Sequence, residues 1–150
     1  MTDTHKVLIA SDHAGFELKE HVERILRARG FDVEDLGPAN TDSTDYADYA
    51  HPLAKRVASG EVSQGVLLCG TGLGMSYVAN RYPGVRAAVA WAPEIASLAR
   101  QHNDANVLVL PARFVSDHDA EKIVDSWLAA KFEGGRHARR VEKIERKSTS

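Results

Sequence analysis

Five short apolar runs recur along the chain, each followed by a stretch with helical periodicity. This alternation restricts the fold more than any other feature. The runs are Lys6 to Ala10 (KVLIA), Phe31 to Leu36, Gly65 to Leu68, Val85 to Trp91 and Asn106 to Leu110. Continuous apolar runs of this length mark strands buried on both faces. The stretches between them read as helices. Phe16 to Arg29 places Leu18, Val22, Ile25 and Leu26 on one face and meets Gly30, a C-cap residue. Tyr46 to Ser59 is a second helix, with Pro52 weakening its first half. Shorter helices are expected over Met75 to Asn80 and Pro93 to Gln101. Ser116 caps another, with Asp119 at its third position and Ile123, Val124, Trp127 and Leu128 as its stripe. A basic helix from His137 to Lys147 follows the Gly134-Gly135 break. The connections are long enough for parallel crossovers, so the expected architecture is a three-layer α/β sandwich around a five-stranded parallel sheet. No repeat or linker divides the 150 residues, and one domain over 1–150 is expected.

Composition excludes several classes. Hydrophobic residues at 43% and charged residues at 27% exclude a disordered chain. The net charge of -2 gives no reason to expect a nucleic-acid partner. One cysteine, Cys69, excludes an intrachain disulfide framework and every multi-cysteine zinc pattern. The uncharged run from Val62 to Asn80 has the length of a membrane span. Its four glycines and its Ser, Gln, Thr and Asn residues make it a strand, a glycine loop and a helix start instead. Met1 to Lys6 is polar and Val7 to Ala10 too short for a secretion signal, so a cytoplasmic location away from membranes is the expectation.

In a parallel α/β sheet, ligands gather beyond the carboxyl ends of the strands. Three segments stand there: Ser11-Asp12-His13, Cys69 to Gly74 and Pro111-Ala112-Arg113. Glycines at 70, 72 and 74 let backbone N–H groups converge at a helix start, a geometry that holds anions. The spacing G-x-G-x-G is neither a P-loop nor a dinucleotide fingerprint, and a plain strand-to-helix turn explains it equally well. A thiol beside such a loop can ionise and act as base or nucleophile, whereas a lone cysteine is more often buried and inert. Asp12 reads equally as a helix cap or a ligand for hydroxyls. His102 and Asn103 follow a helix and precede a strand; on residues alone they are a surface histidine and a C-cap. Arg136 and Arg140 lie four apart and share a helical face able to pinch a phosphate. A solvated face is the alternative, and Glu142 and Glu145 argue against a nucleic-acid tail.

Taken in order, these segments resemble the type B ribose-5-phosphate isomerase family, which includes galactose- and allose-6-phosphate isomerases. The resemblance rests on Ser11 to Lys19, Thr44-Asp45-Tyr46, Cys69 to Ser76, Arg100 to Asn106 and Gly134-Gly135-Arg136-His137, and runs from Lys6 to about Ile144. It implies a Rossmann-like fold and an aldose–ketose isomerase acting on a phosphorylated sugar without metal or organic cofactor. It also implies a homodimer or homotetramer whose active sites are shared across the dimer interface. Carried over by position, Cys69 is the base that moves a proton between C1 and C2. Gly70, Gly72, Leu73 and Gly74 form the anion hole, and Thr71 touches the reacting oxygens. His102 opens the furanose ring, with Asp12 assisting and Asn103 holding hydroxyls. His13, Arg113, Arg136 and Arg140 hold the phosphate, Arg113 from the other subunit, and Tyr46 is a pocket wall.

This sequence departs from the family's pattern in places. Ala47 stands where a proline commonly follows Thr-Asp-Tyr, and Trp91 could line the sugar pocket and bias substrate length. One branch of the family takes its base from a Glu shortly after the glycine loop. Met75-Ser76 occupy that place here, which leaves Cys69 as the candidate. Ribose 5-phosphate is the expected substrate. Another phosphosugar (allose 6-phosphate, galactose 6-phosphate or a tetrose phosphate) is the alternative, and a non-catalytic phosphosugar-binding protein is a third reading.

Overall fold

A computed structural model describes residues 5–146. The five apolar runs form one sheet: β1 (Lys6–Ser11), β2 (Asp32–Asp35), β3 (Gly65–Cys69), β4 (Ala87–Val89) and β5 (Val107–Pro111). Their order is β2-β1-β3-β5-β4, and every neighbouring pair is parallel. Six helices connect and cover them: α1 (Phe16–Ala28), α2 (Tyr46–Ala58), α3 (Leu73–Ala79), α4 (Pro93–Asn103), α5 (Asp117–Ala129) and α6 (Arg136–Glu142). This is the expected three-layer α/β fold with its five-stranded parallel sheet and C-terminal helix.

The pleat divides the core in two. Val7, Ile9, Val66, Leu68, Leu108 and Leu110 face α1 and α5, where Leu18, Val22, Ile123, Val124 and Trp127 meet them. The alternate residues Leu8, Ala10, Leu67, Val107 and Val109 face α2 and α3, against Leu53, Ala54, Val57, Met75 and Ala79. Trp127 is wholly buried, and its indole N–H donates to the Ala105 carbonyl at 3.0 Å. Truncating such a residue to alanine costs about 3–5 kcal/mol.

Several boundaries differ from the sequence reading, each for a tertiary reason. The fourth strand spans Ala87–Val89 only, because it is an edge paired to β5 alone. Asn80 clips its outer side, accepting from the Ala87 N–H at 2.8 Å and donating to the Ala87 carbonyl at 3.0 Å. Side-chain clips of this kind blunt an exposed edge. The basic helix runs over Arg136–Glu142 rather than from His137 to Lys147. Glu145 accepts the Gly84 N–H at 2.8 Å, which draws the chain out of the helical path, and Lys147 lies outside the described residues. Pro52 sits inside an unbroken α2, and β2 is shorter than expected. The third helix begins at Leu73, so Leu73 and Gly74 belong to its first turn. Among the described residues no helix is long and apolar enough to cross a membrane.

Candidate active site

The chain leaves β1 toward β2 on one side and later places β3 on the other side of β1. The carboxyl ends of β1 and β3 therefore flank a topological switch point, where adjacent loops diverge and leave a crevice. A cleft of about 240 Å³ opens there, lined by Asp12, His13, Ala14, Tyr46, Cys69, Gly70, Thr71, Gly74 and Arg113.

Each of these side chains is held from the backbone. Asp12 is buried and takes the capping role at the edge of the cleft. Its carboxylate accepts the Gly15 N–H at 3.1 Å, capping the turn into α1, and it lines the cleft. His13 is clamped by Thr44: the His13 amide donates to the Thr44 hydroxyl at 3.0 Å, and the Thr44 amide donates to Nδ1 at 3.1 Å. Because Nδ1 accepts, the neutral ring carries its proton on Nε2, the donor an anion would meet. Thr44 thus belongs to the site as a support. In the sequence Thr44 stands out only as part of the Thr-Asp-Tyr motif.

Cys69 ends β3, buried but facing the cleft, and its Sγ accepts the Gly72 N–H at 3.2 Å. Gly72 reaches this position with φ of +78°, a backbone conformation that side chains other than glycine rarely adopt. Gly74 is required by proximity: a Cβ there would stand 2.7 Å from the Tyr46 ring. Tyr46 closes the cleft against the glycine loop, as a wall should. Thr71 is exposed at the rim, and its hydroxyl accepts the Leu73 N–H at 3.2 Å.

Arg113 corrects one expectation. It belongs to the same chain's cleft rather than reaching in from a partner: its amide donates to the Gly70 carbonyl at 3.0 Å, and its side chain packs over Gly70. The reason is topological, since Arg113 follows β5 and every strand here ends on the same edge.

His102, Asn103, Arg136 and Arg140 are not brought to this cleft. α4 starts beyond the carboxyl end of β4, and its 11 residues carry the chain back by roughly 16 Å. Asn106, just after it, accepts the Gly65 N–H at 3.0 Å, beside the start of β3 rather than its end. Asn103 lines a different hollow, of about 400 Å³, with Asn80, Arg86 and Glu145. His102 stacks on His137, ring centroids 4.3 Å apart and planes within 9°. Both imidazoles face Glu133, which the sequence reading did not single out. Its only signal was a carboxylate four residues ahead of His137. Arg136 and Arg140 stand one turn apart on α6, both exposed, and among the described residues neither forms a salt bridge. Burial, followed by the neighbouring His102 and Arg136 charges, holds His137 below its ordinary pKa.

Trp91 also lies outside the cleft. With Leu73, Val89, Pro111 and Phe114 it lines an apolar groove of about 580 Å³ that meets the cleft at Thr71. Trp91 is 60% exposed and Phe114 73%, large apolar side chains left uncovered together.

The chain is similar to known proteins over nearly its whole length. The family model described as Ribose/Galactose Isomerase matches residues 7–144. The ribose-5-phosphate isomerase B of Escherichia coli is 48% identical over 139 residues, covering 93% of each chain. A probable ribose-5-phosphate isomerase B of Mycoplasma pneumoniae is 48% identical over 145 residues, 96% of this chain and 95% of that one. Among solved structures, the Thermotoga maritima ribose 5-phosphate isomerase superposes with a TM-score of 0.90 at 53% identity, covering 93% of this chain and 96% of its own. The Mycoplasma genitalium ribose-5-phosphate isomerase B, solved with bound ribulose-5-phosphate, gives 0.90 at 46% identity, covering 96% and 95%.

Proposed function

The chain belongs to the ribose/galactose isomerase family, and from that premise we propose that this sugar-phosphate isomerase interconverts ribose 5-phosphate and ribulose 5-phosphate. The observation that carries the proposal is the convergence of Asp12, His13, Cys69, Thr71 and Arg113 on one cleft at the switch point. A thiol, a carboxylate, an imidazole and a guanidinium in one small cleft suit proton transfer on an anionic sugar better than mere binding.

In this reading Cys69, as thiolate, removes the proton from C2 of the open-chain aldose and returns it to C1. A carbon acid next to a carbonyl is weak, so the barrier falls when the developing enediolate oxygen meets preorganised donors. Gly70, Gly72, Leu73 and Gly74 supply that anion hole, with Thr71 at the reacting oxygens. Two of the donors already hold other partners: Gly72 gives its N–H to Cys69 and Leu73 to Thr71. A substrate oxygen must therefore take over or share these bonds. His13 and Arg113 grip the phosphate, which fixes the reacting carbons from a distance.

His102, Asn103, Arg136 and Arg140 belong to the same chemistry only if another copy supplies them. We accordingly place them in the partner's half of a shared site in a homodimer, or in a tetramer built from such dimers. The uncovered groove of Leu73, Trp91 and Phe114 beside Thr71 supports this, because paired copies remove such a patch from water. In that arrangement His102 opens the furanose ring with Asp12 assisting, Asn103 holds hydroxyls, and the α6 arginines complete the phosphate grip. The reading takes the 150 residues as one cytoplasmic isomerase domain.

The test is turnover of ribose 5-phosphate, measured as ketose formation, beside allose 6-phosphate, galactose 6-phosphate and erythrulose 4-phosphate. Highest kcat/KM on ribose 5-phosphate is expected. Preference for a hexose or tetrose phosphate would move the substrate within the family, and no turnover on any would leave a binding protein.

A further inference from the structure

At the amino-terminal edge of the sheet, three potential metal ligands face one another. They come from three separate segments: His102 from the last turn of α4, Glu133 from the α5–α6 connection and His137 from the first turn of α6. The Glu133 Oε1 stands 3.7 Å from His102 Nε2 and 3.5 Å from His137 Nε2. All three ligand atoms lie within 4.8 Å of one another. A tetrahedral ion with bonds of about 2.0–2.2 Å separates neighbouring ligand atoms by roughly 3.4 Å. Two of the three edges are near that length. The rings lie face to face, so closing the third edge requires His102 to turn. Its side chain is 40% exposed and has room to do so.

The backbone keeps the group gathered. The Glu133 amide donates to the Gln101 carbonyl at 3.0 Å, tying the connection to the end of α4. The His137 amide donates to the Gly134 carbonyl at 3.0 Å. His137 is the enclosed member, its side chain 11% exposed, while Glu133 is 51% exposed. The cluster is thus walled on one side and open on the other, which admits an ion and leaves positions for water. Two imidazoles and one carboxylate favour zinc, cobalt, nickel or copper over the oxygen-seeking magnesium and calcium.

We propose that His102, Glu133 and His137 bind a divalent transition-metal ion of the zinc class, and that the bound ion silences the isomerase by withdrawing His102 from ring opening. The ion is an inhibitor here, not a cofactor. The inhibitory half rests on the role given to His102 above; the binding half does not. Arg136 and Arg140 stand on the same helix as His137, and their charges oppose a cation there.

Cobalt(II) is the probe, because its visible absorption reports coordination without reference to turnover. Chelator-stripped enzyme would be titrated with Co²⁺ and, in parallel, assayed on ribose 5-phosphate with Zn²⁺. The comparison set is Glu133→Gln and His137→Gln, outside the proposed catalytic residues, and Cys69→Ser. The expectation is saturable binding and zinc inhibition reversed by chelator. Glu133→Gln and His137→Gln should keep turnover in chelator, bind cobalt at least about tenfold more weakly and resist zinc. Cys69→Ser should bind cobalt as the parent does. Equal cobalt binding in the parent and both cluster variants overturns the site, as does loss of binding in Cys69→Ser, which would put the ion on the thiol. Binding that follows the cluster variants without loss of turnover overturns the inhibition and points to the His102 role as the error. That role is read separately from His102→Asn in chelator. Circular dichroism on each variant separates lost ligands from lost fold.

Discussion

The proposed chemistry divides between two parts of the molecule that are built differently. The strand-end cleft sits on β1, β3 and β5, whose residues are buried on both faces. Its groups hang on short backbone bonds, such as Gly72 N–H to Cys69 Sγ and the double clamp between His13 and Thr44. The helix corner holds His102, Asn103, Arg136 and Arg140 at helix ends, next to a Gly134-Gly135 break with both φ angles positive. Its side chains are mostly exposed, and its arginines have no acidic partner among the described residues. The cleft is therefore preorganised, as a site that stabilises a developing charge must be. The corner is adaptable, which the proposed sharing of a neighbouring copy's site would require.

Replacing Cys69 by Ser tests the preorganised side and carries the largest expected effect. A hydroxyl keeps the shape but is far too weakly acidic to serve as base. Turnover should fall by about 10²- to 10⁴-fold with fold and phosphate binding intact. Near-normal kcat in Cys69→Ser would mean the base lies elsewhere.

The corner's contribution should be smaller and carried by particular arginines. Arg136 and Arg140 share one face of α6, whereas Arg139 points about 100° away from Arg140. Each lost charge-assisted contact costs on the order of 1.5–3 kcal/mol, a tenfold to hundredfold weaker grip. Affinity for ribose 5-phosphate, with inorganic phosphate as competitor, would be compared in Arg136→Ala, Arg140→Ala and Arg139→Ala. Equal weakening by Arg139→Ala would reduce the clamp to diffuse electrostatics.

Mixing variants asks whether the two parts meet across copies. Cys69→Ser and His102→Asn each spoil one half. In a two-fold dimer, a hybrid of the two has one site with both halves intact. Random reassortment should return roughly a quarter of the parent turnover from two nearly inactive proteins. No recovery after unfolding and joint refolding would place both halves in one chain and break the comparison.

Much of this is legible in the sequence alone. Parallel strands announce themselves as runs such as KVLIA, because a strand covered on both faces has no polar side to show. Strand ends were not legible, because β4 keeps only Ala87–Val89 as an edge paired to β5 alone. The cleft could be read because the glycine loop, Asp12-His13 and Arg113 all follow strands, which fixes the edge they share. In the structure that shared edge keeps Arg113 in its own chain's cleft. His102, which follows a helix and precedes a strand, lies at the opposite edge. What no pattern revealed was the joining of Glu133, His102 and His137. That depends on how the α5–α6 connection folds against the end of α4, a contact between segments remote in sequence.

The smallest expected effect distinguishes the two parts by acid. His137 lies under the stacked His102 ring and beside Arg136, and burial is the first cause of its lowered pKa. In the unfolded corner its pKa returns toward 6.5. As pH falls below that value, the opened corner takes up a proton that the closed one resists, so opening becomes easier. The stability His137 lends is whole above 6.5 and is lost as pH falls through its lowered folded value. Hydrogen-exchange protection factors report this directly, because they separate local opening from global unfolding. Between pH of about 7 and about 5, protection in α6 should drop relative to β3. In His137→Gln, which cannot take up the proton, that extra acid loss should disappear while β3 stays as it was. If α6 and β3 lose protection in step, and His137→Gln changes nothing, the corner opens only with the whole molecule and is no more adaptable than the cleft.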